Sequence, residues 1–246
     1  MPDTTTPATP APATEAAKAT RAKAGFISKD LIEAIDLADD CHQEAAKPDT
    51  APKLTERDWT AADQTQLGTL LTQCESLQTE IANARAAKGT RGEEETKARL
   101  EVLTALDPIL KGARRTFVDS DAQRAAFGIG ANLSNADSGE LIRVAKYARD
   151  QLTGTPPAIV LKGVIAAEIT AIATLATKYG SADWAQSQAQ QKATDLLLKL
   201  RALIEQKLNP HRRDLQHAAD MAYPHRLETN AAQRKAFGLQ PDRPLA

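Results

Sequence analysis

Apolar residues recur along most of this chain at spacings of three and four, the period of a helix with one face turned inward. Leu31, Ile32, Ile35 and Ala38 form one such face. With Ser28 as a cap, they predict a first helix running to about Ala46 and stopping before Pro48. Thr60 followed by Asp63 reads as a capping box with Asp in place of Glu, opening a long helix. Positions 67, 70, 74, 77, 81 and 84 hold Leu, Leu, Cys, Leu, Ile and Ala, a seam that predicts a helix ending near Gly89. Glu93-Glu94-Glu95 then puts negative charge on the first turn of a further helix, where the macrodipole favours it. Leu100, Leu103, Leu106, Leu110, Ala113 and Phe117 carry the stripe onward. The resulting expectation is a helix pair in which Leu67, Leu70, Leu77 and Ile81 bury against Leu100, Leu103 and Leu106.

The second half reads in the same way. Ser138 caps a helix to about Leu152, which Gly154-Thr155-Pro156-Pro157 breaks. An apolar helix is expected from Ala158 to about Lys178, another from Ala182 to Leu208, and a last piece from His211 to Ala222 before Tyr223-Pro224. Asp107-Pro108 and Asn209-Pro210 each set a proline after a residue able to cap, so both helices should kink or restart there.

One stretch occurs twice. Ala122-Gln123-Arg124-Ala125-Ala126-Phe127-Gly128-Ile129 returns as Ala232-Gln233-Arg234-Lys235-Ala236-Phe237-Gly238-Leu239, identical at six of eight positions. Each copy has the form of a short helix, starting at Asp121 or Asn230, that ends in a left-handed glycine followed by an apolar residue, as a Schellman stop requires. The same offset lays residues 31–40 on residues 141–150 with apolar positions meeting apolar positions. The chain therefore reads as a tandem duplication. Residues 26–135 form one helical repeat and 136–239 the other, preceded by a Thr/Pro/Ala-rich arm over 1–25 and followed by an extended tail over 240–246. The expected fold class is all-α, two pseudo-repeated antiparallel helical-bundle modules with four-helix-bundle-like packing and extended ends. The C-terminal run through the second octapeptide resembles the ending of uncharacterised bacterial proteins built from duplicated helical bundles. That resemblance implies the fold and brings no activity or site.

Composition narrows the functional classes. With 42% apolar and 26% charged residues the chain is globular in type, and a formal charge of −1 provides no basic field for nucleic acid. Aromatic residues, at 4%, are too few for base-stacking platforms. Cys41 and Cys74 alone cannot form a disulfide framework, and the N-terminus has no basic and apolar signal pattern, so a cytoplasmic setting is the default expectation. The window from Ala158 to Thr177 is interrupted by Lys162 and Glu168, which favours a buried helix over a membrane span.

Candidate chemistry is sparse. His211 and His217 are six residues apart and diverge on a helix, so the His211 to His225 segment is only the place to look for a ligand or metal. No nucleophile elbow, phosphate loop or paired-carboxylate motif occurs; the expectation is no catalytic residue, no cofactor and no metal, hence not an enzyme. The duplicated Gln-Arg pairs could make equivalent contacts to carboxylates or subunits, Arg being suited to bidentate pairing. Arg124, Phe127, Arg234, Phe237 and Arg243 are the candidate interaction residues. The expected function is a structural or assembly subunit that self-associates through its terminal arms, with a ligand- or metal-binding bundle as the alternative. Proline in both ends stiffens them for docking in extended form.

Overall fold

A computed structural model of the chain describes residues 27–153, 157–225 and 227–241. Among them all regular structure is helical, with no strand. In chain order the helices are α1 (Lys29–Ala45), α2 (Ala51–Thr55), α3 (Ala61–Thr116), α4 (Asp121–Ala126), α5 (Ser138–Leu152), α6 (Ala166–Leu203), α7 (Asn209–Ala222) and α8 (Ala231–Ala236). A π-helical turn, Ile204–Leu208, joins α6 to α7, and a 3-10 turn, Glu228–Asn230, precedes α8.

Local chemistry sets several boundaries. Thr60 and Asp63 form the reciprocal capping box: the Asp63 N–H donates to Thr60 Oγ1 at 3.2 Å and the Thr60 N–H donates to Asp63 Oδ2 at 2.9 Å. Helix α5 is capped one residue earlier than expected, by Asp137, whose Oδ1 accepts from the Glu140 N–H at 2.7 Å. A carboxylate at that position also meets the positive end of the helix.

Two expected helix ends do not occur. Helix α3 runs for 56 residues, through Gly89, Gly92 and Pro108. A glycine costs about 1 kcal/mol relative to alanine inside a helix, too little to end one whose flanks are good helix formers. Pro108 also lies inside the helix, where it lacks the N–H that would donate to the Thr104 carbonyl and its ring crowds that carbonyl, yet the helix continues past it. Helix α6 similarly passes Gly180, and it begins at Ala166 rather than Ala158. The preceding segment is held out of helix by Gly163 at φ +78° and by the Lys162 N–H, which donates to Thr116 Oγ1 at 2.9 Å. At Pro210 the chain does adjust, through the π turn just before it.

The long helices overturn the expected antiparallel pairing within the first half. Leu67 to Ile81 and Leu100 to Leu106 are successive stretches of α3 and cannot face each other. The buried face of its later part is Ala98, Val102, Leu106, Ile109 and Ala113, so Leu100 is 66% exposed and Leu103, Leu110 and Phe117 are only partly buried. No helix among the described residues is long and apolar enough to cross a membrane.

The chain divides into two compact units. One is continuous, 84–193, with a core of Val102, Leu106 and Ile109 from α3, Leu141, Val144 and Ala148 from α5, and Ile172, Ala176 and Tyr179 from α6, closed by Phe127. The other is discontinuous, combining residues 27–83 with the described residues from Thr194 to Pro241. There α1 packs against α7 and α8, which come from the opposite end of the sequence. Its buried side chains include Leu31, Ile35, Ala38 and Cys41 of α1, Leu67, Leu70, Cys74 and Ile81 of α3, and Leu215 and Phe237.

Candidate functional site

The duplicated octapeptide closes both units in the same way. After α4, the Ile129 N–H donates to the Arg124 carbonyl and the Gly128 N–H to the Ala125 carbonyl, both at 2.9 Å. After α8, the Leu239 N–H donates to the Arg234 carbonyl at 2.9 Å and the Gly238 N–H to the Lys235 carbonyl at 3.0 Å. These are the two bonds of a Schellman stop, with Gly128 at φ +78° and Gly238 at φ +67°.

Phe127 and Phe237 are completely buried. Phe127 stacks on Phe117 at 5.8 Å between ring centroids and meets Tyr147 of α5 edge-on at 5.1 Å. Phe237 stacks on Tyr223 at 6.3 Å, and its carbonyl accepts from Gln216 Nε2 at 2.6 Å and from the Cys41 thiol at 3.5 Å. Thus α5 covers the stop that follows α4, and α1 covers the stop that follows α8. Burial pushes the Cys41 thiol up to about 12, against the lowering influence of Arg212, so it is an inert donor rather than a nucleophile.

The two arginines of the repeat are placed differently. Arg234 is buried, only 6% exposed, and satisfied on three sides. One terminal nitrogen pairs with Asp220 at 2.6 Å and donates to the Tyr223 carbonyl at 2.7 Å, while Nε donates to the Gln240 carbonyl at 3.0 Å. Arg124 has a surface pair with Asp121 at 3.5 Å, where the carboxylate is fully exposed. Of the five sequence-derived candidates, Phe127, Phe237 and Arg234 are therefore turned into their own units, Arg124 lies at the surface, and Arg243 falls outside the described residues.

The histidine segment is spread out. His211 Nε2 lies 2.9 Å from the Asp63 carbonyl and its ring is 5.1 Å from that of Trp59, while His217 and His225 are exposed. Nearby, Gln64 accepts from Trp59 Nε1 at 3.1 Å and donates to the His42 carbonyl at 2.8 Å, tying the end of α1 to the start of α3. Among the described residues no three His, Cys, Asp or Glu side chains are grouped to hold a metal ion.

A surface feature that sequence reasoning passed over lies on the continuous unit. Gly89, Gly92, Glu93, Thr96 and Leu100 of α3 line a shallow groove of about 630 Å³ with Gln186 of α6. Its floor is rigid. Glu95 accepts from the buried Tyr179 hydroxyl at 3.3 Å, and Arg99 donates to that hydroxyl and to the carbonyls of Ser134 and Ala136. Lys178 pairs with Glu101 at 2.6 Å along the same helices. The signal in the sequence was a pair of glycines inside a strong helical pattern, which reads equally as a helix end until the helix is seen to continue.

Comparison with known proteins returns no matching family model, no matching curated protein and no matching solved structure.

Proposed function

We propose that this chain is a structural or assembly subunit, a helical scaffold that associates with copies of itself through its terminal segments. The observation that carries the reading is the hydrogen bond from Arg234 to the Gln240 carbonyl. A buried, doubly anchored guanidinium fixes the point from which the last residues depart. A segment leaving from a fixed point loses less freedom when it docks on a neighbour. The same arginine is used differently in the first octapeptide, so this anchor belongs to the second copy and not to the motif as such.

A tandem duplication belongs to the same proposal. Two Schellman stops with buried phenylalanines, each covered by an equivalent leading helix, support a pseudo-repeat of two bundle modules that exchange those helices. Leu31, Ile35 and Ala38 are buried on α1 where Leu141, Ala145 and Ala148 are buried on α5.

The test is light scattering over a concentration series on the full chain and on two truncations, one lacking residues 1–24 and one lacking 241–246. The second keeps the Gln240 carbonyl for Arg234. Reduced association with unchanged helical circular dichroism is the expected result. A full chain that remains monomeric at every concentration, or truncations that associate as well as the full chain, would overturn the reading.

A further inference from the structure

We infer that two copies of this chain meet antiparallel along one face of α3, between Gly89 and Leu100. The inference rests on the self-association proposed above and names a surface for it. Gly89, Glu93, Thr96 and Leu100 follow one another at spacings of four, three and four residues, so they share one face of the helix, the face that opens the groove. That spacing reads the same in both directions. With a twofold axis between Glu94 and Glu95, Leu100 of each copy falls opposite Gly89 of the other, and Glu93 opposite Thr96.

Shape agrees with this register. Leu100 is a large apolar side chain left 66% exposed, and Gly89 is bare, with nothing within 4 Å of the place a Cβ would occupy. Knob and notch lie equally far from the axis. Each copy therefore buries its exposed leucine in the gap the other leaves. No packing need within the unit accounts for glycine at that position, where alanine would make a better helix.

Charge agrees as well. Glu93 and Lys97 carry opposite signs on the same exposed face, and neither enters an ion pair among the described residues, whereas Glu94 is taken by Arg91 and Glu101 by Lys178. The antiparallel register brings Glu93 of one copy beside Lys97 of the other, twice per pair. A contact this short gives weak, concentration-dependent association.

The experiment is sedimentation velocity on the full chain over a concentration series. Gly89→Leu and Glu93→Lys should each weaken association about tenfold, because every substitution acts twice across a twofold axis. Gly89→Leu should leave the thermal midpoint unchanged or raised, since its side chain meets nothing in the unit. Adding Lys97→Glu to Glu93→Lys should restore association by re-forming the pair with reversed signs. Gly89→Leu and Glu93→Lys variants that associate at wild-type strength would overturn this interface and leave the contacts of the terminal segments standing. A double variant no stronger than Glu93→Lys alone would also overturn it. A wild-type chain that is monomeric throughout would overturn the interface and the assembly reading together.

Discussion

Leu37 of α1 lies directly over Gly238: a Cβ on that glycine would stand 2.7 Å from Leu37 Cδ1. Gly128 stands in the same relation to α5, where a Cβ would be 3.1 Å from a Val144 methyl. Both glycines also have positive φ, which an L side chain adopts only at a cost. Gly238→Ala and Gly128→Ala should each lose about 1–3 kcal/mol in urea denaturation. Gly180→Ala, at a helical glycine with nothing within 4 Å, should gain up to about 1 kcal/mol, which separates the strain from the mere addition of a methyl group.

Arg234 and Arg124 occupy the same place in the octapeptide and should respond unequally to removal. Arg234→Ala leaves the Tyr223 and Gln240 carbonyls without their donor, and Asp220 half-exposed without its partner. A loss of about 1–3 kcal/mol is expected, below that of a fully buried pair because water reaches Asp220. Arg124→Ala should change stability by less than about 0.5 kcal/mol. Thermal denaturation of the two variants side by side checks the difference.

Leu106 and Leu100 belong to one stripe in the sequence and to different environments in the fold, 1% and 66% exposed. Leu106→Ala should cost roughly 2–5 kcal/mol through lost burial and a cavity. Leu100→Ala should be nearly neutral for folding. Chemical denaturation of both would show which leucines the core uses.

Acid should weaken the fold through His42. Burial holds its pKa below the ordinary value of 6.5, against the raising influence of Asp39 and Gln64. The unfolded chain therefore takes up the proton first. Stability is complete above about pH 6.5 and falls as the pH drops through the interval between the unfolded and the lower folded value. His42→Gln should flatten that part of the profile. The Asp63 carboxylate, lowered by its hydrogen bonds with Thr60, should add its own loss only below its ordinary value of 3.8. Equilibrium unfolding between pH 4 and 8 would expose the histidine step, and an unchanged profile in His42→Gln would assign it elsewhere.

The sequence by itself determined those features whose hydrogen bonds close within a few residues. The Thr60–Asp63 box, the two Phe-Gly stops and the apolar face of α1 are local, and each is formed by side chains or carbonyls at fixed offsets on the same strand of chain. Tertiary structure decided the rest, because the competing local choices differ by about a kcal/mol or less. Gly89 and Gly180 are compatible with a helix end or a helix interior, and the fold carries both helices through them. Two overlapping stripes run along α3 after residue 97, one with Leu100, Leu103, Leu106 and Leu110, the other with Val102, Leu106 and Ile109. The facing side chains of α5 and α6 select the second. The identical arginines of the octapeptide differ in burial because Asp220 and the Gln240 carbonyl approach only one of them. The covering of Phe237 by α1 joins residues at opposite ends of the chain, a contact whose loop-closure entropy no local pattern can announce.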